Sequence, residues 1–143
     1  VHQGNGTAEI FKNDPSVFTF SMHGASNYPF EKEVSNLDIP LLNGVEDQEY
    51  LKILKETLPN LIKTFQPDFA FYLPGVDILA SDKLGKLNCT LEGCKERDRF
   101  VLSSLKENNI PMVCSMGGGY SKDIKIIIEA HANTFRLAQD IFF

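Results

Sequence analysis

Cysteine is scarce in this sequence: three in 143 residues, Cys89, Cys94 and Cys114. Their number is odd and their spacing is not that of a zinc ribbon, since no second pair follows Cys89 and Cys94. Free thiols are expected instead, a usage that suits a reducing, cytoplasmic setting. Basic residues are also few. Fourteen Lys and Arg against nineteen Asp and Glu leave a net charge of −5, and the pI is near 5.1. That lacks the basic footprint of direct nucleic-acid binding. No apolar run reaches the roughly 18 residues of a membrane-spanning helix. The polar start carries neither a signal peptide nor an initiator Met, so a chain opening Val1-His2-Gln3-Gly4 reads as excised from something longer. Repeats, low-complexity tracts and Pro/Gly/Ser linkers are missing too. The expectation is one domain over residues 1–143, long enough to bury roughly 68–70% of its unfolded surface. With 43% hydrophobic and 23% charged residues, the composition is that of a globular protein.

Short apolar runs alternate with longer helical patterns, the signature of an α/β fold. Residues 17–22, 69–73 and 111–115 read as strands, and 37–42 as a weaker one. The runs at 69–73 and 111–115 are nearly all apolar, which predicts burial on both faces. Between them, Tyr50, Leu51, Leu54, Leu58, Leu61, Ile62 and Phe65 fall on one face of a helix over 46–65. Pro59 should kink or split it. Thr90 can cap a second helix running to about Lys106, and a third is expected from near Ser121 to the C-terminus. Strands that alternate with helices point to a parallel sheet with helices on its faces. Ligands in such folds gather beyond the carboxyl ends of the strands. Asp77 and Tyr120 both lie there.

Three separated segments carry the chemistry. Asp77 follows Pro74-Gly75-Val76; a carboxylate there either caps the next turn or ligates a metal. Asp82 suits an Asx-type turn. Gly117-Gly118-Gly119-Tyr120 places three glycines after a buried strand, which a fold tolerates where backbone must approach something closely or take positive φ. A phosphate loop is excluded, because no Lys-Ser/Thr follows and Tyr120 breaks the GxGxxG spacing. A Tyr so placed can present its hydroxyl as an electrophilic donor. His2 precedes Gly4-Asn5-Gly6-Thr7, a turn and helix start with Asn5 or Thr7 as candidate caps. His23 reads as a loop residue at the rim, and His131 as a surface or satisfied core residue.

Taken in order, His2-Gln3-Gly4-Asn5-Gly6-Thr7, Gly75-Val76-Asp77-Ile78-Leu79-Ala80-Ser81-Asp82-Lys83-Leu84-Gly85 and Gly117-Gly118-Gly119-Tyr120 resemble the zinc-dependent histone deacetylase superfamily. His-Gln-Gly-Asn-Gly and Asp-Ile-Leu-x-x-Asp-x-Leu-Gly are similar to its class IV branch and bacterial relatives. The resemblance implies a three-layer α/β/α arginase–deacetylase fold with a mainly parallel sheet, of which this chain is the incomplete C-terminal part. It implies zinc bound by an Asp-x-His pair and a later Asp, with His2 as the histidine and Asp77 as the later aspartate. The pair's own aspartate would lie immediately before Val1, and the tandem histidines that activate water would lie farther upstream. Tyr120 matches the tyrosine that stabilises the oxyanion, and Gly75, Gly118 and Gly119 match the loops against the substrate. Ser21 and Met22, and separately Phe11, Asp14 and Val17, match donors to structural K⁺ or Na⁺ ions. Tyr28 or Phe30 would line the acyl channel.

The implied activity is hydrolysis of acyl groups from acyl-lysine, long chains among them. Acetylpolyamine or another small amide is the alternative substrate. A non-catalytic binding module of the same fold is an alternative of another class, and a nucleotide-binding α/β domain ranks below it. The piece alone is expected to be inactive, to hold zinc weakly, and to associate with itself or with the remainder of the domain through exposed strand edges.

Overall fold

A computed structural model describes all residues, Val1–Phe143. Four helices and four strands follow one another as α1 (Asn5–Phe11), β1 (Phe20–Gly24), β2 (Leu37–Leu41), α2 (Asp47–Phe65), β3 (Ala70–Tyr72), α3 (Leu91–Glu107), β4 (Met112–Cys114) and α4 (Ile124–Phe142). The strands pair in parallel, β1 with β2 from Phe20 opposite Leu37, and β3 with β4 from Ala70 opposite Met112. They form two separate two-stranded ladders.

The helices obey the predicted periodicity, with informative departures. In α2, Tyr50, Leu54, Leu58 and Ile62 are buried as one stripe. The helix runs unbroken through Pro59, which corrects the expected split. Pro59 and Lys55, whose carbonyl it leaves unpaired, both lie on the exposed face, where water can serve that oxygen. Gln66 closes the helix in a left-handed conformation, its N–H bonded to the Ile62 carbonyl. Thr90 caps α3 as expected, its hydroxyl accepting the Gly93 N–H at 3.0 Å. Neither Asn5 nor Thr7 caps α1; Gly4 holds that position without a side-chain bond. The last helix starts at Ile124 rather than near Ser121, because the Asp123 carboxylate accepts the Lys125 N–H and fixes the start there.

Burial of β3 and β4 on both faces does not hold. Phe71 is 76% exposed and Val113 49% exposed, while their strand neighbours are half-buried. Ala70, Tyr72 and Met112 pack against the core, while Phe71 and Val113 face away from it uncovered. The core instead draws on the irregular segment after β3: Val76, Ile78, Leu79, Leu87 and Cys89 are buried with Tyr50, Leu54, Val101 and Leu105. A long connection anchored this way is a fixed platform rather than a mobile loop. Asp77 rides on it.

A buried polar knot locks that platform to the helices. Asp98, fully buried on α3, accepts from Arg97 Nε at 2.8 Å, from the Tyr72 hydroxyl at 2.6 Å and from the Thr134 hydroxyl of α4 at 2.6 Å. Arg97 Nη1 donates to the Gly75 carbonyl at 2.6 Å. Burial alone would lower the Arg97 pKa, but the acidic groups of Tyr72, Cys94 and Asp98 outweigh it and hold it well above the ordinary value. Burial, with Asp98 beside it, pushes the Tyr72 hydroxyl well up, so it remains a donor. The three cysteines are free, Cys89 and Cys94 buried and Cys114 half-buried.

Candidate functional site

Three stretches of chain converge at one end of the structure. His2 lies just before α1, Asp77 on the buried segment after β3, and Tyr120 after β4. His2 Nε2 stands 3.9 Å from Asp77 Oδ2, and Nδ1 of the same ring lies 2.8 Å from the Tyr28 carbonyl. That second contact fixes the ring and leaves Nε2 facing the carboxylate. The other Asp77 oxygen, Oδ1, is 2.5 Å from the Val1 amino nitrogen.

The glycines explain themselves here. Gly118 has φ +67°, and a Cβ on it would lie 2.6 Å from Asp77 Cγ. Gly119 has φ +106°, and its Cβ would collide with Ile127 and Val76. Gly75 has the same problem, a Cβ there lying 2.7 Å from Asp77 Oδ1. Glycine at 75 and 118 therefore lets two loops come up against the carboxylate without displacing it. His131 of α4 approaches the Gly118 carbonyl through Nε2 at 3.3 Å, a role for that histidine that its mid-helix position did not signal.

Tyr120 is 54% exposed. It shares an open groove with His2, Tyr28, Phe30, Leu84 and Lys86. Tyr28 and Phe30 meet edge to face, with ring centroids 6.4 Å apart. Tyr28 and Phe30 thus give an aromatic lining to the groove that His2 and Tyr120 share.

The donors suit zinc in type and nearly in spacing. Two N/O ligands at about 2.0–2.2 Å in a tetrahedral site stand about 3.4 Å apart, close to the 3.9 Å seen between His2 and Asp77. The pair fits two corners of such a site. No group of three His, Cys, Asp or Glu side chains comes together in this chain to complete one.

The other predicted residues fall in two places. Phe11, Asp14 and Val17 share the turn after α1, where the Phe11 carbonyl accepts the Asp14 N–H at 3.0 Å and the Asp14 carbonyl accepts the Val17 N–H at 3.2 Å. The Asp14 carboxylate points to Ser16. Ser21 and Met22 lie on β1, where the Ser21 hydroxyl accepts the Gly4 N–H at 3.3 Å and meets His23 Nδ1 at 3.1 Å. His23 is a buried strand residue, 2% exposed, not a loop residue at the rim. Burial lowers its pKa, opposed by Asp38.

Several supporting residues escaped the sequence reading. Gln3 clamps the backbone of Glu33, donating to its carbonyl at 2.6 Å and accepting its N–H at 2.9 Å, and also donates to Asp38. Arg97 and Asp98 sit on the same helical face as Cys94 and Val101. A charged pair on an apolar stripe was the available signal. Asp82 makes the expected turn, accepting the Leu84 and Gly85 N–H groups at 2.8 Å each, but it also reaches Tyr120.

The histone deacetylase domain family matches residues 1–135. An uncharacterized protein of Picosynechococcus sp. is 45% identical over 142 residues, covering 99% of this chain and 47% of that protein. Histone deacetylase 2 of Arabidopsis thaliana is 33% identical over 140 residues, 95% of this chain and 36% of that one. The crystal structure of an acetylpolyamine aminohydrolase from Burkholderia pseudomallei matches with a TM-score of 0.80 at 20% identity, over 98% of this chain and 43% of that one. That last likeness is one of fold: α/β with parallel strands, the arginase–deacetylase architecture, present here incompletely. The chain spans less than half the length of each of these proteins.

Proposed function

The chain belongs to the histone deacetylase family, and from that premise we propose that the intact protein is a zinc-dependent hydrolase removing acyl groups from acylated lysine. The observation that carries this reading is that His2, from a distant part of the sequence, meets the Asp77 carboxylate and shares one groove with Tyr120. His2 Nε2 and Asp77 Oδ2 would hold the metal. When bound, zinc acts as a Lewis acid toward the amide carbonyl and acidifies water.

The chain's own residues supply the rest. Tyr120 donates its hydroxyl proton in a hydrogen bond to the oxyanion that develops as the amide carbonyl becomes tetrahedral. Its ring and those of Tyr28 and Phe30 hold the apolar part of the substrate and exclude water from the groove. Asp77 can take its position because Gly75 and Gly118 carry no Cβ that would displace it. The groove's lining includes Lys86. Its charge favours an acyl-lysine, neutral at its amide, over a polycationic acetylpolyamine.

With two metal donors and no third, this chain by itself is proposed to bind zinc weakly and to lack turnover. The test is to load the intact protein with zinc and compare kcat/KM for acetyl-lysine peptides, longer acyl-lysine peptides and acetylpolyamines. Preference for the acyl-lysine peptides supports the reading. Preference for acetylpolyamines refutes the substrate class, and no hydrolysis of any amide refutes the activity.

A further inference from the structure

Asp82 divides its two carboxylate oxygens between two loops. Oδ1 accepts the Leu84 and Gly85 N–H groups at 2.8 Å each, closing the turn of its own loop. Oδ2 accepts the backbone N–H of Tyr120 at 2.6 Å. The carboxylate is buried, 9% exposed. Backbone contacts beside it run the same way: the Val76 N–H donates to the Gly117 carbonyl at 3.1 Å, and the Ser81 and Ser121 hydroxyls meet at 2.7 Å. Of these, only the Asp82 bond ends on the residue that carries the phenol.

Glycines 117–119 precede Tyr120, two of them at positive φ, and α4 begins only at Ile124. Backbone of that composition has little stiffness of its own. The Tyr120 side chain is 54% exposed, and no hydrogen bond within the chain holds its hydroxyl. The anchor for this tyrosine is therefore at its backbone nitrogen, and a charge-assisted bond to a buried carboxylate is the stronger kind.

We infer that Asp82 is a positioning residue for Tyr120: it fixes the distance between the loop bearing Asp77 and the loop bearing the oxyanion donor. This rests on the reading of Tyr120 given above. A donor displaced by about 1 Å from its productive place loses on the order of 10²-fold in rate. An Asn at 82 keeps one acceptor oxygen for the turn and turns an NH₂ toward the Tyr120 N–H, donor against donor.

The experiment is a double-mutant cycle in the zinc-loaded intact protein with an acetyl-lysine peptide, joined to amide hydrogen exchange at Tyr120. Asp82→Asn is expected to lower kcat about 10–100-fold with KM and zinc content unchanged, and to speed exchange of the Tyr120 amide. In a Tyr120→Phe background, the same change is expected to lower kcat less than about twofold further, because the group it positions is already gone. If Asp82→Asn does not fold, Asp82→Ser keeps the turn bond to Leu84 through its hydroxyl while falling short of Tyr120, and the same outcomes apply. Losses that multiply, or wild-type kcat in the Asp82 variant, overturn the positioning role alone. Wild-type kcat in Tyr120→Phe overturns the reading of Tyr120 and this inference with it.

Discussion

Gly118 lies so close to Asp77 that a Cβ on the glycine would stand 2.6 Å from the carboxylate carbon. The glycine-rich loop and the aspartate are therefore parts of one object, although 41 positions separate them in sequence.

Gly118→Ala should push Asp77 out of line with His2. The substitution also places a side chain at φ +67°, a conformation that costs a non-glycine residue about 1–2 kcal/mol. Displacing a group that holds a metal ligand costs about 10–100-fold in metal affinity. Zinc titration of the intact protein against a chelator should show that loss. Affinity equal to wild type would mean that the loop does not hold the carboxylate.

Asp77→Asn removes the anionic ligand without changing its size. The purified intact variant should contain little or no zinc by elemental analysis. Full occupancy would show that Asp77 is not a ligand.

Asp98→Ala leaves Arg97 charged and buried without its carboxylate partner and strips the acceptor from Tyr72 and Thr134. Breaking a buried pair on one side costs about 3–5 kcal/mol. Urea unfolding of the intact protein should register a loss of that order. A change within experimental scatter would mean that the knot contributes nothing.

Alkaline pH should destabilise the fold through groups that burial keeps protonated. Burial raises the Cys89 thiol from 9.0 to about 12 and the Tyr50 hydroxyl from 10.0 to about 12. Above pH 9 the unfolded chain releases protons that the folded chain retains, so stability falls as pH rises toward 12 and is fully present below 9. The urea midpoint should hold steady to about pH 8.5 and then decline, less steeply in Cys89→Ala. A midpoint independent of pH up to 11 would contradict this.

Much of this was legible in the sequence for physical reasons. The stripe Tyr50, Leu54, Leu58 and Ile62 named α2, because helical periodicity and burial coincide there. Thr90 named the start of α3, because a cap is a local bond. The glycines at 118 and 119 announced positive φ and close approach, and both occur. What was not legible depends on partners distant in sequence. Apolar β3 and β4 predicted cover on both faces, but an apolar run does not record which face the rest of the chain packs against. Pro59 predicts a kink or a split from its local cost alone, which does not include Lys55 facing water. Asp82 signals a turn because Oδ1 acts locally; the bond that Oδ2 accepts from the Tyr120 N–H spans 38 positions. Arg97 and Asp98 show in sequence only as a charged pair on an apolar helix stripe, and packing is what makes them the link between the helices and the Gly75 carbonyl.

In the proposed site, Tyr120 is the oxyanion donor and His2 and Asp77 help hold the metal. Steady-state turnover of the zinc-loaded Tyr120→Phe intact protein on an acetyl-lysine peptide, with zinc content measured on the same sample, tests it most directly. Full zinc content with kcat lowered by about 10²–10³ is the expected result. Full zinc content with wild-type turnover would contradict it.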